Sequence, residues 1–218
     1  MTDAPRPDTS PLRILRTVPL LWALLVLIVG GLALLTVFFS DAPALSPPPE
    51  PAPESSSDSD LVPGPDDLHV LVSKSQRRLF LYRGDTQLRS FPIVLGSQPT
   101  LDKQREGDGR TPVGAFYVCE KNAKSRYYLF IGISYPNRED ADRGLRDNLI
   151  TPADHETILR ALAQRKSPPW YTRLGGEIGL HGGGTAWDWT EGCIALDNAD
   201  IRDLYASIRV GAIVTIEP

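Results

Sequence analysis

Cysteine, histidine and methionine are scarce, at two, three and one in 218 residues. Two cysteines exclude a disulfide-rich scaffold, and with three histidines they leave too few ligands at any recognisable spacing for zinc. No metal is expected. A dominant charge of one sign is also missing. A net charge of −4 excludes a nucleic-acid binder that works through a strong basic field. That charge is unevenly spread. Residues 41–67 hold seven carboxylates and no Lys or Arg, whereas residues 68–218 hold 20 basic and 18 acidic groups. The long C-terminal part is close to neutral.

Charge is absent altogether from Thr17 to Ser40, a run rich in Leu and Val. As a helix these residues would span roughly 36 Å, enough for a hydrocarbon core of about 30 Å. Arg6, Arg13 and Arg16 precede the run and acidic groups follow it. The positive-inside rule then makes 1–16 a cytoplasmic N-terminus and 17–40 a single-pass anchor in the inner membrane, with the remainder in the periplasm. The alternative is a cleaved signal peptide, whose apolar region is usually about 7–15 residues. This run is longer, and proline occupies the centre of Ala42-Pro43-Ala44 where a small-x-small cleavage site would lie. Residues 41–67, with eight prolines and five serines, read as an extended linker that could reach roughly 80 Å.

From residue 68 apolar residues alternate with a period of two. Strands are expected over 69–73, 78–82, 87–95, 114–120, 127–134 and 212–217. Gly84-Asp85 and Gly107-Asp108-Gly109 supply turns. One helix is expected to start at Thr151 as N-cap with Pro152 at N1, and a second to run near 198–208. The expectation is a mainly β domain of residues 68–218 with two or three helices.

One stretch breaks this pattern. Ile178-Gly179-Leu180-His181 ends in Gly182-Gly183-Gly184, and Thr190-Glu191-Gly192-Cys193 opens a second apolar run. A thiolate is a strong nucleophile, and an imidazole can generate it by taking the proton. Glycines beside both residues let backbone approach a substrate closely. The amides of Gly192 and Cys193 are candidates for an oxyanion hole, and the Gly182 carbonyl is a candidate to orient His181. Cys119 reads as a core-filling residue, and His69 and His155 as solvated or capping residues. A Cys119–Cys193 disulfide would silence the nucleophile.

The block His181-Gly182 with Thr190-Glu191-Gly192-Cys193-Ile194 resembles the catalytic motif of the L,D-transpeptidases, the YkuD-like cysteine enzymes of the bacterial cell wall. Gly107-Asp108-Gly109-Arg110-Thr111-Pro112-Val113-Gly114 is similar to the family's Thr-Pro-x-Gly segment. Val70–Tyr82 is similar to its opening hairpin, and Ser134-Tyr135-Pro136-Asn137 to the YafK-type murein branch. Many members carry Arg two places after the cysteine, where this chain has Ala195.

The resemblance implies a YkuD-like β-sandwich and a peptidoglycan tetrapeptide as donor. Cys193 would attack the L-centre carbonyl of meso-diaminopimelate and expel D-alanine. The thioester would then pass to an amine acceptor. His181 would be general base, and no cofactor is needed. Thr190 would line or shape the substrate loop. A lid between about Arg138 and Gly175 would offer Trp170 and Tyr171 as substrate contacts. The nearest alternative is a hydrolytic amidase using the same Cys/His site on peptidoglycan or an attached lipoprotein. A catalytically silent wall-binding module is the alternative of a different class.

Overall fold

The computed structural model describes residues 61–64 and 67–218. The expected anchor at 17–40 and nearly all of the linker lie outside the described residues. Among the described residues no helix is long and apolar enough to cross a membrane.

Alternation of Val70 and Val72 with Leu79 and Leu81, all buried, folds β1 (Leu68–Ser73) and β2 (Arg78–Arg83) into an antiparallel hairpin. Burying one face of each strand and solvating the other is what a period of two produces. β3 (Thr86–Pro92) continues the meander on β2. β4 (Gly114–Ser125) runs past the expected 114–120, and its register shifts twice, at Val118/Glu120 and Asn122/Ser125. Such irregularities bend a strand. The first part of β4 therefore pairs with β8 (Ile213–Glu217), and the rest with β5 (Tyr128–Ile133).

Two helices follow. α1 (Arg138–Arg146) was not anticipated, since its sequence is nearly all polar and its buried residues are Asp140, Ala141 and Gly144. A Cβ at Gly144 would lie 3.0 Å from a Leu174 methyl carbon, so α1 packs closely on Leu174 there. α2 (Pro152–Ala163) begins as expected. Thr151 Oγ1 accepts from the Asp154 amide at 3.1 Å, and the Asp154 carboxylate accepts from the Thr151 amide at 3.0 Å. Caps of this kind contribute about 1 kcal/mol. His155 Nε2 lies 2.6 Å from Asp142 Oδ1, so His155 ties α2 to α1 rather than capping a helix. Ala141, Ile150, Ile158 and Leu174 form the small core of this pair. The expected lid of 138–175 is thus mostly a packed helical unit.

The chain returns through two short strands, β6 (Gly179–His181) and β7 (Ile194–Ala195), then α3 (Asn198–Ser207). The sheet order is β3-β2-β1-β8-β4-β5-β6-β7. Its ends meet: Val94 and Ala195 exchange both backbone hydrogen bonds, at 3.0 and 2.9 Å. The sheet therefore closes over a core that includes Phe91, Phe116, Ile131, Ile133, Leu180 and Ile194. Ile201 and Leu204 of α3 join the same core. The domain is mainly β with short helices.

Candidate active site

β6 and β7 run parallel, with Leu180 beside Ile194 and His181 beside Ala195. One step back along β7 places Cys193 level with Gly179. Side chains alternate along a strand, so Cys193, Ala195 and His181 point to the same face. His181 and Cys193 accordingly line one cleft of about 840 Å³. Ala195 is fully buried in the closing bridge to Val94.

The imidazole is held on three sides. Its ring stacks on Tyr127 at 4.6 Å and meets Trp189 edge-on at 5.4 Å. Nδ1 lies 2.6 Å from the Gly182 carbonyl oxygen. A carbonyl only accepts, so Nδ1 carries the proton and Nε2 presents its lone pair. Burial, opposed by the Gly182 bond and assisted by the nearby Arg126 charge, lowers the His181 pKa below its ordinary 6.5. His181 is therefore a neutral base at neutral pH. Gly182 is required here, since a Cβ would lie 2.4 Å from Asn198 Oδ1. That same oxygen accepts from the Gly183 amide at 3.0 Å.

The thiol of Cys193 donates to the Glu177 carbonyl at 3.3 Å. Burial pushes its pKa up to about 11, against the opposing pull of the Gly179 amide and the Lys103 charge. At rest the pair is then a neutral thiol and a neutral imidazole. Cys119 is half-buried on β4, and burial raises its thiol as well. Both cysteines are free.

The loop before Cys193 is organised by Thr190. Its hydroxyl donates to the Cys193 carbonyl at 2.7 Å and accepts from the Gly192 amide at 3.2 Å. Thr190, only 4% exposed, lines the cleft and spends its hydroxyl within the loop. The Gly192 N–H, committed to Thr190, is not free for an oxyanion, which leaves the Cys193 N–H as backbone donor. Gly192 has φ 135, a region L residues disfavour. The Thr-Pro-x-Gly segment lies directly behind this loop. Thr111 Oγ1 accepts from the Gly96 amide at 3.0 Å, and Gly96 bridges to Thr190.

Trp170 and Tyr171 both line the cleft. Tyr171 is 92% exposed, whereas the Trp170 indole nitrogen is buried with no hydrogen-bond partner among the described residues. Sequence reasoning missed three contributors. Lys103, 2% exposed, lines the cleft, and Glu177 supplies the carbonyl that holds the thiol. Asp188 accepts from Arg77 at 2.8 Å and from the Leu95 amide at 2.8 Å, pinning the loop that joins His181 to Cys193. The one signal in the sequence was a lysine four residues before Gly107-Asp108-Gly109, and its burial was not legible there.

The model of the L,D-transpeptidase catalytic domain, YkuD, matches residues 67–216. No curated protein matches this sequence. Among solved structures, the helical cell shape determining protein Pgp2 from Campylobacter jejuni is similar at 23% identity. That likeness covers 73% of this chain and 53% of that one, with a TM-score of 0.48. Bd1075 from Bdellovibrio bacteriovorus is similar at 21% identity, over 69% of this chain and 47% of that one, with a TM-score of 0.46. An L,D-transpeptidase from Mycobacterium smegmatis is similar at 10% identity, over 69% and 58%, with a TM-score of 0.42. The chain spans about half the length of the first two of these proteins. The family model, by contrast, covers most of this chain. From residue 67 onward, the chain belongs to the family of L,D-transpeptidase catalytic domains.

Proposed function

We propose that this domain is an L,D-transpeptidase that acts on peptidoglycan stem peptides through a thioester on Cys193. The single observation that carries the reading is the His181 tautomer: Nδ1–H is held by Gly182 O at 2.6 Å, so Nε2 faces the cleft as a base. The Cys193 side chain turns from the Glu177 carbonyl toward Nε2 and gives up its proton as sulfur attacks the diaminopimelate carbonyl. The Cys193 N–H receives the developing oxyanion. The C–N bond then breaks, and the proton on Nε2 passes to the departing amine of D-alanine.

An acceptor amine next loses its proton to Nε2 and attacks the thioester. The new amide forms as the C–S bond breaks and the thiol recovers the proton. Water in place of the amine would give the amidase outcome by the same steps. Neutral groups at rest spare the site a buried ion pair while the cleft is unliganded. The uncharged run at 17–40, with Arg before it and acid after it, supports an inner-membrane anchor that leaves the domain periplasmic.

The test is incubation with a disaccharide-tetrapeptide, followed by intact-protein and product mass analysis. A transient adduct and new crosslinked dimers are expected. Shortened peptides without dimers would establish the hydrolase instead. No adduct and no product would leave a wall-binding module.

A further inference from the structure

Arg77 ends the turn between β1 and β2 with φ 51, a left-handed conformation that glycine and asparagine take more readily. What arginine brings there is its guanidinium. Nε lies 3.2 and 3.3 Å from the two carboxylate oxygens of Asp188, and Nη2 donates to Oδ2 at 2.8 Å. The fork is braced from behind. Nη1 donates to the Lys74 carbonyl, and the Arg77 carbonyl accepts from the Ile93 amide at 3.1 Å. Fully exposed ion pairs contribute little to stability. This one is partly buried, with 37% and 24% of the two side chains exposed, and its two-oxygen geometry fixes direction more than it adds energy.

Asp188 carries this anchorage to the residue beside it. Its Oδ1 also accepts from the Leu95 amide at 2.8 Å, and the Leu95 carbonyl accepts from the Thr190 amide at 3.2 Å. Leu95 thus holds the residues on both sides of Trp189. The indole is held as well. Nε1 donates to the Gly184 carbonyl at 3.2 Å, and the ring lies on Gly183, where a Cβ would come 2.9 Å from Trp189 Cζ2. The absence of a side chain at 183 is what lets the indole lie flat on the loop.

Fixed in this way, Trp189 closes on the imidazole. It meets His181 edge-on at 5.4 Å and Tyr127 at 5.6 Å, while Tyr127 stacks on His181 at 4.6 Å, so the three rings touch one another. The Tyr127 carbonyl also accepts from the Gly182 amide at 3.1 Å. The same residue therefore frames both the ring and the peptide whose carbonyl holds Nδ1–H. A half-turn of the imidazole about its Cβ–Cγ bond would break that bond and put a carbon where Nε2 stands. Arg77 and Asp188 lie outside the lining of the cleft, so their influence on the chemistry runs through Trp189. We propose that Arg77 and Asp188 are positioning residues for the base: their ion pair fixes Trp189, and Trp189 with Tyr127 keeps His181 in the one orientation that has Nδ1–H on Gly182 and Nε2 in the cleft. The inference rests on the reading of His181 as general base.

The experiment is heteronuclear NMR of the full chain carrying isotope-labelled histidine, without substrate, with the His181 ring signals assigned by their loss in His181→Ala. Wild type is expected to show a single tautomer protonated at Nδ1. Asp188→Ala and Arg77→Gln should each show a second population protonated at Nε2, and Arg77→Lys should return part of the wild-type signal. In parallel, acylation of Asp188→Ala by the tetrapeptide should slow about 10- to 100-fold at saturating donor with little change in KM, because orientation is lost and binding is not. A wild type that already mixes tautomers, an unmixed Nδ1–H tautomer in both variants, or a loss confined to KM would overturn the positioning role. If Asp188→Ala does not fold, Arg77→Gln, which keeps the bond from Leu95 to Asp188, still decides. The ring signals are read without acylation, so a wild-type chain that forms no adduct bears on the proposed mechanism and not on this result.

Discussion

Gly192 and Arg110 approach so closely that a Cβ on Gly192 would lie 2.6 Å from the Arg110 carbonyl oxygen. The contact joins the nucleophile loop to the Thr-Pro-x-Gly segment, two stretches some eighty positions apart. Gly192→Ala would add a clash to a backbone at φ 135. A residue forced into such a region costs about 1–3 kcal/mol. Thermal melting should show that loss, and acylation by the tetrapeptide should fall further than stability alone requires. A Gly192→Ala variant with wild-type melting and wild-type acylation would refute the contact.

Thr190 gives a conservative test of the same loop. Thr190→Val keeps the volume but leaves the Gly192 amide and the Cys193 carbonyl without their shared partner. Unpaired buried groups cost about 1–3 kcal/mol. Acyl-enzyme formation, followed by mass, should slow in Thr190→Val and recover in Thr190→Ser. Equal rates in the two variants would remove Thr190 from the positioning of Cys193.

The electrostatics of the resting pair predict a pH profile. The Cys193 thiol is pushed up to about 11 from 9.0, so its thiolate fraction at pH 7 is about 100-fold below that of an unperturbed thiol. Alkylation by iodoacetamide should be slow at pH 7 and rise steadily toward pH 11. Acylation by donor needs only neutral His181, whose pKa lies below 6.5. It should be lost as pH falls through that value and be level above it. Alkylation already at its plateau by pH 7 would mean a preformed ion pair.

The identity of the nucleophile is read from mass. Wild type and Cys119→Ala should each gain one adduct with the tetrapeptide or with a carbapenem, and Cys193→Ala none. His181→Ala should acylate about 10²–10⁴-fold more slowly, the range for a lost general base. An adduct that survives Cys193→Ala would reject the proposed mechanism.

Much of this domain was legible in the sequence because its signals are local. Val70, Val72, Leu79 and Leu81 announce a hairpin by alternation, and Thr151-Pro152 announces a helix start by capping chemistry. The glycines around His181 and Cys193 stand out in the sequence, but what a Cβ would meet there, Asn198 at Gly182 and Arg110 at Gly192, is set by the fold. α1 was hidden because its buried face is Asp140, Ala141 and Gly144, which carry no apolar period. The tertiary structure alone decided the rest. The parallel pairing of β6 with β7 sets His181 and Cys193 on one face. Burial, which depends on the whole closed sheet, raises the thiol and lowers the imidazole. Hydrogen-bond partners are chosen in three dimensions, so only the fold could commit the Gly192 amide to Thr190 and leave Trp170 Nε1 without an acceptor among the described residues.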